Sequence, residues 1–251
     1  MNFSSIRKPM TGSLAAAILT VACHQPTSEA EALFNGKDLA GWEGDTTRWS
    51  VQNGLISGQT TPDAPIESNT FLIWKGDAPE NFELSLQFKL TGQNEAGWAN
   101  SGIQYRARRI EDSGYSVGGY QADIDLNGKY TGMLYEERGR GLLMAPGQKI
   151  RIFPKSETDT SKSKATVEVM EQASTREEIL AAYKIGDWNV FKIIADGAHL
   201  RHYLNGVLTA EVFDADPEKA ATDGIIALQL HKGQPMTIQF RDITLTALDR
   251  H

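Results

Sequence analysis

Three short stretches between Asn100 and Glu137 set acids, amides and arginines where strands would present them together. They read Asn100-Ser-Gly-Ile-Gln-Tyr-Arg106, Gly-Gly-Tyr-Gln-Ala-Asp-Ile-Asp125 and Lys-Tyr-Thr-Gly-Met-Leu-Tyr-Glu-Glu137. Side chains two apart share a strand face, so Gln104, Arg106 and Arg108 are expected together, as are Gln121, Asp123 and Asp125. Ala122, Ile124 and Leu126 then point the other way. Asp123, Asp125 and a Glu136 on the neighbouring strand could divide into acid and base if burial separates their pKa values. The same acids could instead pair with Arg106 and Arg108, or hold a calcium ion. His231 follows Leu228-Gln-Leu230 and shares a face with Gln229; a neutral imidazole there could give or take a proton, or simply be a hydrogen-bonded histidine. His202, just before the Asn205-Gly206 turn, reads as structural.

The surrounding residues suit recognition of hydroxyl groups. Arg106 offers a fork of donors, and Asn100, Gln104, Gln121 and Gln229 offer amides. Tyr135, Trp98 and Trp188 could stack on a pyranose face, although tryptophan in such a chain also serves as core. A polar trough of this composition, laid over a sheet, suits a sugar.

Strands must position these groups. Phe82-Glu-Leu-Ser-Leu-Gln-Phe-Lys-Leu90 is apolar at every second residue, the mark of a strand half buried against a core. Similar runs appear at 49–51, 70–74, 103–108, 120–126, 150–153, 165–169, 189–194, 199–204, 207–213, 224–230 and 236–245. Asn53-Gly54, Asn127-Gly128, Asp196-Gly197, Asn205-Gly206 and Asp223-Gly224 separate them and tolerate the positive φ of tight turns. About a dozen strands at ~8–12-residue spacing predict an all-β, two-sheet antiparallel sandwich. In 238–245 the apolar parity switches between Phe240 and Ile243, which predicts a bulge near Arg241-Asp242. Ser174-Thr-Arg-Glu-Glu-Ile-Leu opens with a capping pattern and predicts one short helix.

Bulk properties narrow the function. The chain has 251 residues, a net charge of −7 and 40% hydrophobic residues, which fits one acidic domain with a full core and disfavours a nucleic-acid partner. Arg7-Lys8 followed by apolar 14–21 reads as an export leader over 1–22. Thr20-Val-Ala-Cys23 resembles a lipobox, making Cys23 the expected lipidation site and 23–32 a tether to a sandwich at 33–251. The protein is then expected as a periplasmic or outer-membrane lipoprotein, touching membrane only through Cys23. Cys23 is the sole cysteine, so neither an intrachain disulfide nor a thiol nucleophile is available.

Leu33-Phe-Asn-Gly-Lys-Asp-Leu-Ala-Gly-Trp42 and Trp49-Ser-Val-Gln-Asn-Gly-Leu-Ile56 resemble the opening of the 3-keto-disaccharide hydrolase family. The resemblance continues in order through Asn100–Arg106, Gly119-Tyr-Gln121, Gly132-Met-Leu-Tyr135, His202-Tyr-Leu-Asn-Gly206, Gly224–His231 and Ile238–Ile243. It implies a concanavalin A-like jelly roll and an activity on glycosides already oxidised to a ketone at C3. Such a ketone acidifies the C2 hydrogen, so a base can remove it and expel the C1 substituent, with no nucleophile required. Where other members carry a longer loop with further His and Asp, this chain has only Asp125-Leu-Asn-Gly-Lys129, which leaves ligation of a divalent ion through that loop unsupported. Two competing readings share the fold. One is a non-catalytic glycan-binding module; the other is an endoglucanase, whose Glu-x-Asp-x-x-Glu string is missing from Gln121–Asp125.

Overall fold

A computed structural model describes residues 29–92, 97–158 and 164–249, together with Met1. The leader and Cys23 lie outside the described residues. In chain order the elements are β1 (Glu31–Ala32), β2 (Trp42–Glu43), β3 (Trp49–Gln52), β4 (Leu55–Thr60), β5 (Thr70–Trp74), β6 (Phe82–Gly92), β7 (Asn100–Arg109), β8 (Val117–Asp125), β9 (Leu134–Glu137), β10 (Gly141–Leu142), β11 (Gln148–Phe153) and β12 (Thr166–Gln172). After α1 (Arg176–Ala182), the one helix among the described residues, come β13 (Asn189–Asp196), β14 (His199–Leu204), β15 (Val207–Asp214), β16 (Ile225–Leu230) and β17 (Met236–Ala247).

Two sheets form. The larger runs β12-β11-β15-β14-β13-β6-β17-β4-β3, with β1 added beside β17; the smaller runs β10-β9-β8-β7-β16-β5-β2. Every pairing is antiparallel except β11 with β15, which is parallel. This is a two-sheet sandwich, as the strand pattern predicts, with the jelly-roll architecture that the family resemblance implies. Each of the twelve runs read from alternation falls on a strand; β1, β2, β4 and β10 are short or Gly- and Ser-containing and carry weaker alternation.

The core between the sheets follows from period two. Phe82, Leu84, Leu86, Phe88 and Leu90 of β6 are all at most 1% exposed and pack with Phe191, Ile193, Ile238 and Phe240. Ile103, Tyr105, Tyr120, Ala122, Ile124 and Leu228 close it from the smaller sheet. Truncating Phe88 to Ala would cost roughly 3–5 kcal/mol. The parity switch in β17 is a bulge: its register with β6 shifts between Arg241 and Thr244, and Asp242 has φ 51°. Phe240 and Ile243 therefore both reach the core. Helix α1 is capped by Thr175 and Glu178 reciprocally, the capping box expected from its sequence. Asn205 and Gly206, with φ of 47° and 87°, turn β14 into β15.

His202 is structural, as its position suggests. Its Nδ1 lies 3.1 Å from the Gly132 carbonyl and so must donate, leaving Nε2 to accept from the Tyr105 hydroxyl at 2.9 Å. Burial pulls its pKa down to about 4, which keeps it neutral inside the sandwich.

Candidate functional site

The inner face of the smaller sheet builds the core, and its outer face builds the site. Gln104, Gln121 and Gln229 sit on adjacent central strands β7, β8 and β16 and are all at most 2% exposed. Both Gln104 Nε2 (2.6 Å) and Gln229 Nε2 (2.8 Å) donate to Gln121 Oε1. Gln121 in turn donates from Nε2 to Asp123 Oδ1 at 2.8 Å. This polarity suits the ionised form, in which the carboxylate at the end of the relay accepts and each amide upstream is oriented to serve it. Asn100 Nδ2 donates to the other oxygen, Asp123 Oδ2, at 3.1 Å. Gly102 faces Asp123 across the β7–β8 ladder. A Cβ there would stand 2.5 Å from Gln121 Cδ, so the absence of a side chain at 102 lets Gln121 lie across the strand.

Asp123 is 4% exposed. Burial raises its pKa to about 7; the hydrogen bonds from Gln121 and Asn100 oppose that rise, and the charges of Asp125 and Glu137 add to it. At neutral pH it is therefore divided between acid and carboxylate, the condition for a group that must both take and give a proton.

The cleft above Asp123 has a volume of about 420 Å³, within the ~300–1,000 Å³ usual for small-molecule sites. Glu137, at the end of β9, is its second carboxyl. Glu137 Oε2 accepts from Asn69 Nδ2 and Gln229 Nε2, each at 3.3 Å, and burial raises its pKa. His231 stands at the rim, just past β16. Its Nδ1 is 2.5 Å from the Lys232 carbonyl; a carbonyl can only accept, so Nδ1 carries the hydrogen and Nε2 keeps a lone pair. Burial lowers the pKa of His231, holding it neutral. Trp98 meets the imidazole edge-on, with ring centroids 5.2 Å apart. Tyr130 and Tyr135 add aromatic wall, and Lys232 is the one cationic side chain among the described residues lining the cleft.

Most of the residues expected from the sequence do meet here: Asn100, Gln121, Asp123, Asp125, Tyr135, Gln229 and His231 all line the cleft. Five stand differently. Asp125 turns its carboxylate onto its own loop, accepting from the backbone N–H of Asn127, Lys129 and Tyr130, so its work is to hold the turn. Gln104 lies beneath Gln121, at 0% exposure, and acts through it. Glu136 faces away: it is partnered with Tyr120 in the register and held by the Arg140 guanidinium, which also grips Asp214. Trp188 lies elsewhere, stacked under Arg241 at 4.0 Å.

Arg106 is displaced by a bulge. The β7–β8 register shifts between Tyr105 and Arg108, and Arg106 itself has φ 45°. The alternation that would align it with Gln104 is broken there. Its guanidinium is buried and donates to the carbonyls of Gly197, Ala221 and Glu80, tying loops together at the end of the sandwich. Arg108 points out to Asp223.

Sequence reasoning missed Glu137, Asn69, Lys232 and Tyr130. Glu137 carried a usable signal: it has the same parity as Tyr135, so a Tyr135 facing the trough requires Glu137 beside it and turns Glu136 inward. Asn69 and Lys232 meet across 163 residues, through a 3.0 Å bond from Lys232 N to Asn69 Oδ1, and no local pattern announces that. Among the described residues no group of three His, Cys, Asp or Glu side chains is spaced to hold a metal ion.

Comparison with known proteins agrees with this architecture. A candidate glycosyl hydrolase from Parabacteroides distasonis superposes with a TM-score of 0.55 at 19% identity, over 88% of this chain and 100% of that one. A Bacillus subtilis protein of galectin-like fold gives 0.54 at 14% identity, over 89% and 96%. The carbohydrate binding module CBM66 from Bacillus subtilis gives 0.51 at 13% identity, over 82% and 96%. At these identities the likeness shows the fold. No curated protein sequence matches the chain. The family model described as a 3-keto-alpha-glucoside-1,2-lyase-like domain matches residues 29–246, nearly all of the strands above. The chain is thus a carbohydrate-active protein belonging to the 3-keto-alpha-glucoside-1,2-lyase-like family.

Proposed function

We propose that the protein cleaves the glycosidic bond of 3-keto-glycosides by taking the C2 proton and expelling the oxygen at C1. One observation carries this reading. Asp123, Glu137 and His231 come from three separate strands or their ends, and they converge on one cleft of monosaccharide scale lined otherwise by amides and aromatic rings.

The step needs a base, a stabiliser for the enolate and an acid for the leaving oxygen. Asp123 or the lone pair on His231 Nε2 takes the C2 hydrogen. The C–H electron pair becomes a C2=C3 enolate with its charge on O3, where Lys232 is available to stabilise it. Collapse of the enolate restores the ketone and forms C1=C2, while the C1–O bond breaks. A protonated carboxyl, Glu137 or Asp123, supplies the hydrogen to the departing oxygen. The products are an unsaturated 3-keto sugar and a free alcohol; water added across C1=C2 gives the 3-keto monosaccharide, which is net hydrolysis.

The test is to incubate purified protein with 3-keto-disaccharides of several linkages beside their unoxidised parents. Release of the aglycone from the keto compounds alone supports the proposal; intact substrate throughout overturns it. A non-catalytic glycan-binding module would instead retain affinity and lack turnover in both wild type and Asp123→Asn. Export through the leader and lipidation of Cys23 belong to the same proposal, since glycan fragments are met outside the cytoplasm. Cys23→Ser should move the protein from the membrane to the soluble fraction, and an unchanged distribution would remove the anchor.

A further inference from the structure

Beside the acid-lined cleft lies a second depression of about 540 Å³, and Tyr130, Met133 and Leu142 line both. The chemistry changes across that shared wall. On the far side Met144, Ala145 and Pro146 supply apolar surface, and among the described residues no Asp, Glu or His lines it. Leu142 is 59% exposed, standing on the ridge between the two. Lys129 Nζ sits 4.7 Å from the centroid of the Tyr130 ring at the same boundary.

We propose that this second depression is the aglycone subsite and that it receives an aromatic or compact alicyclic group in preference to a second sugar. The inference rests on the reading of the first cleft as the seat of the oxidised sugar. A pyranose carries hydroxyls around its ring, and each loses water on burial unless an amide or carboxylate replaces it. The first cleft provides such partners. The second, although Lys129, Gln172, Thr175 and Arg176 also line it, is otherwise lined by methionine, leucine, isoleucine, alanine, proline and a tyrosine ring and, among the described residues, offers no carboxylate. An apolar ring gains there by leaving water and by contact with the thioethers of Met133 and Met144. The arrangement puts the two chemistries side by side, as a glycoside joins a hydroxylated ring to a separate leaving alcohol.

The test compares methyl and benzyl 3-keto-glucosides, each as the α and β anomer, because methanol and benzyl alcohol differ little as leaving groups. Wild type should favour the benzyl compound in kcat/KM by about tenfold or more, the scale set by one well-filled apolar contact. Ala145→Asp places a charge in the apolar depression only; it should bring the benzyl value down to the methyl value and leave the methyl value unchanged. Equal rates on both compounds in wild type, or a benzyl preference that survives Ala145→Asp, overturns the subsite while the reaction stands. If neither compound is cleaved, binding calorimetry on the same pair replaces kinetics. Tighter benzyl binding that Ala145→Asp abolishes then upholds the subsite without the reaction; equal binding overturns it.

Discussion

Replacing Asp123 by Asn should change stability in a way that only a buried, raised carboxyl produces. Its pKa moves from an ordinary 3.8 to about 7 in the folded protein. At 1.36 kcal/mol per pH unit, keeping it ionised costs the fold about 4 kcal/mol. The sign follows from linkage: the folded state holds the proton more tightly, so stability is greatest below the unfolded value and falls as pH rises through the native one. The loss is complete above about pH 7. Asn does not titrate, but it sets an amide N–H₂ against either Gln121 Nε2 or Asn100 Nδ2, both of which donate to the carboxylate. That mismatch costs roughly 1–3 kcal/mol at every pH. The variant should therefore be less stable than wild type near pH 4 and equal or more stable near pH 8. Across this window the difference should swing by about 4 kcal/mol, or roughly 8–16 °C in Tm for a chain of this size. Thermal unfolding of both proteins over that pH range reads it directly. Parallel curves would mean that Asp123 is not held protonated by burial, and the proton-transfer role assigned to it would fall. Activity should drop by about 10²–10⁴-fold in the same variant.

His231→Gln should remove the acid limb of kcat/KM against pH, and in wild type that limb should lie below the ordinary histidine value, because burial lowers the pKa of His231; an unchanged profile would exclude the imidazole. Arg140→Met should destabilise the fold by roughly 3–5 kcal/mol by leaving the Asp214 carboxylate, 1% exposed, without the cation that balances its charge. Glu136→Gln should keep near wild-type kcat, in contrast to Glu137→Gln, and a catalytic loss from Glu136→Gln alone would contradict its placement. Gly102→Ala should push Gln121 off its bond to Asp123 and lower kcat with little change in far-UV circular dichroism; full activity would show that the amide relay is dispensable.

Where alternation ran unbroken, the sequence was a good guide. Gln121 and Asp123 share the outer face of β8 while Tyr120, Ala122 and Ile124 fill the core, as period two requires. The same rule failed at Arg106, because a bulge inserts a residue and Arg106 adopts a positive φ that a non-glycine residue seldom signals. Asp125 obeyed the alternation, yet its oxygens went to three nearby backbone N–H groups. The Asp-Leu-Asn-Gly string is itself a turn signature, and local hydrogen bonds won over the cleft. Glu137 was within reach of the pattern, given Tyr135. Trp188, Asn69 and Lys232 were beyond it, since their partners lie far away in the sequence.

If the glycosidic bond breaks by proton removal at C2, as proposed, the fate of that hydrogen records it. A 3-keto-glycoside carrying deuterium at C2 is cleaved in ordinary water, and the released sugar is read by NMR at early times, with unreacted substrate as the control for spontaneous exchange. Deuterium lost from the product and kept in the remaining substrate is the outcome expected. Deuterium retained at C2 in the released sugar would mean that C1–O cleaves without deprotonation, and the role given to Asp123, Glu137 and His231 would be wrong.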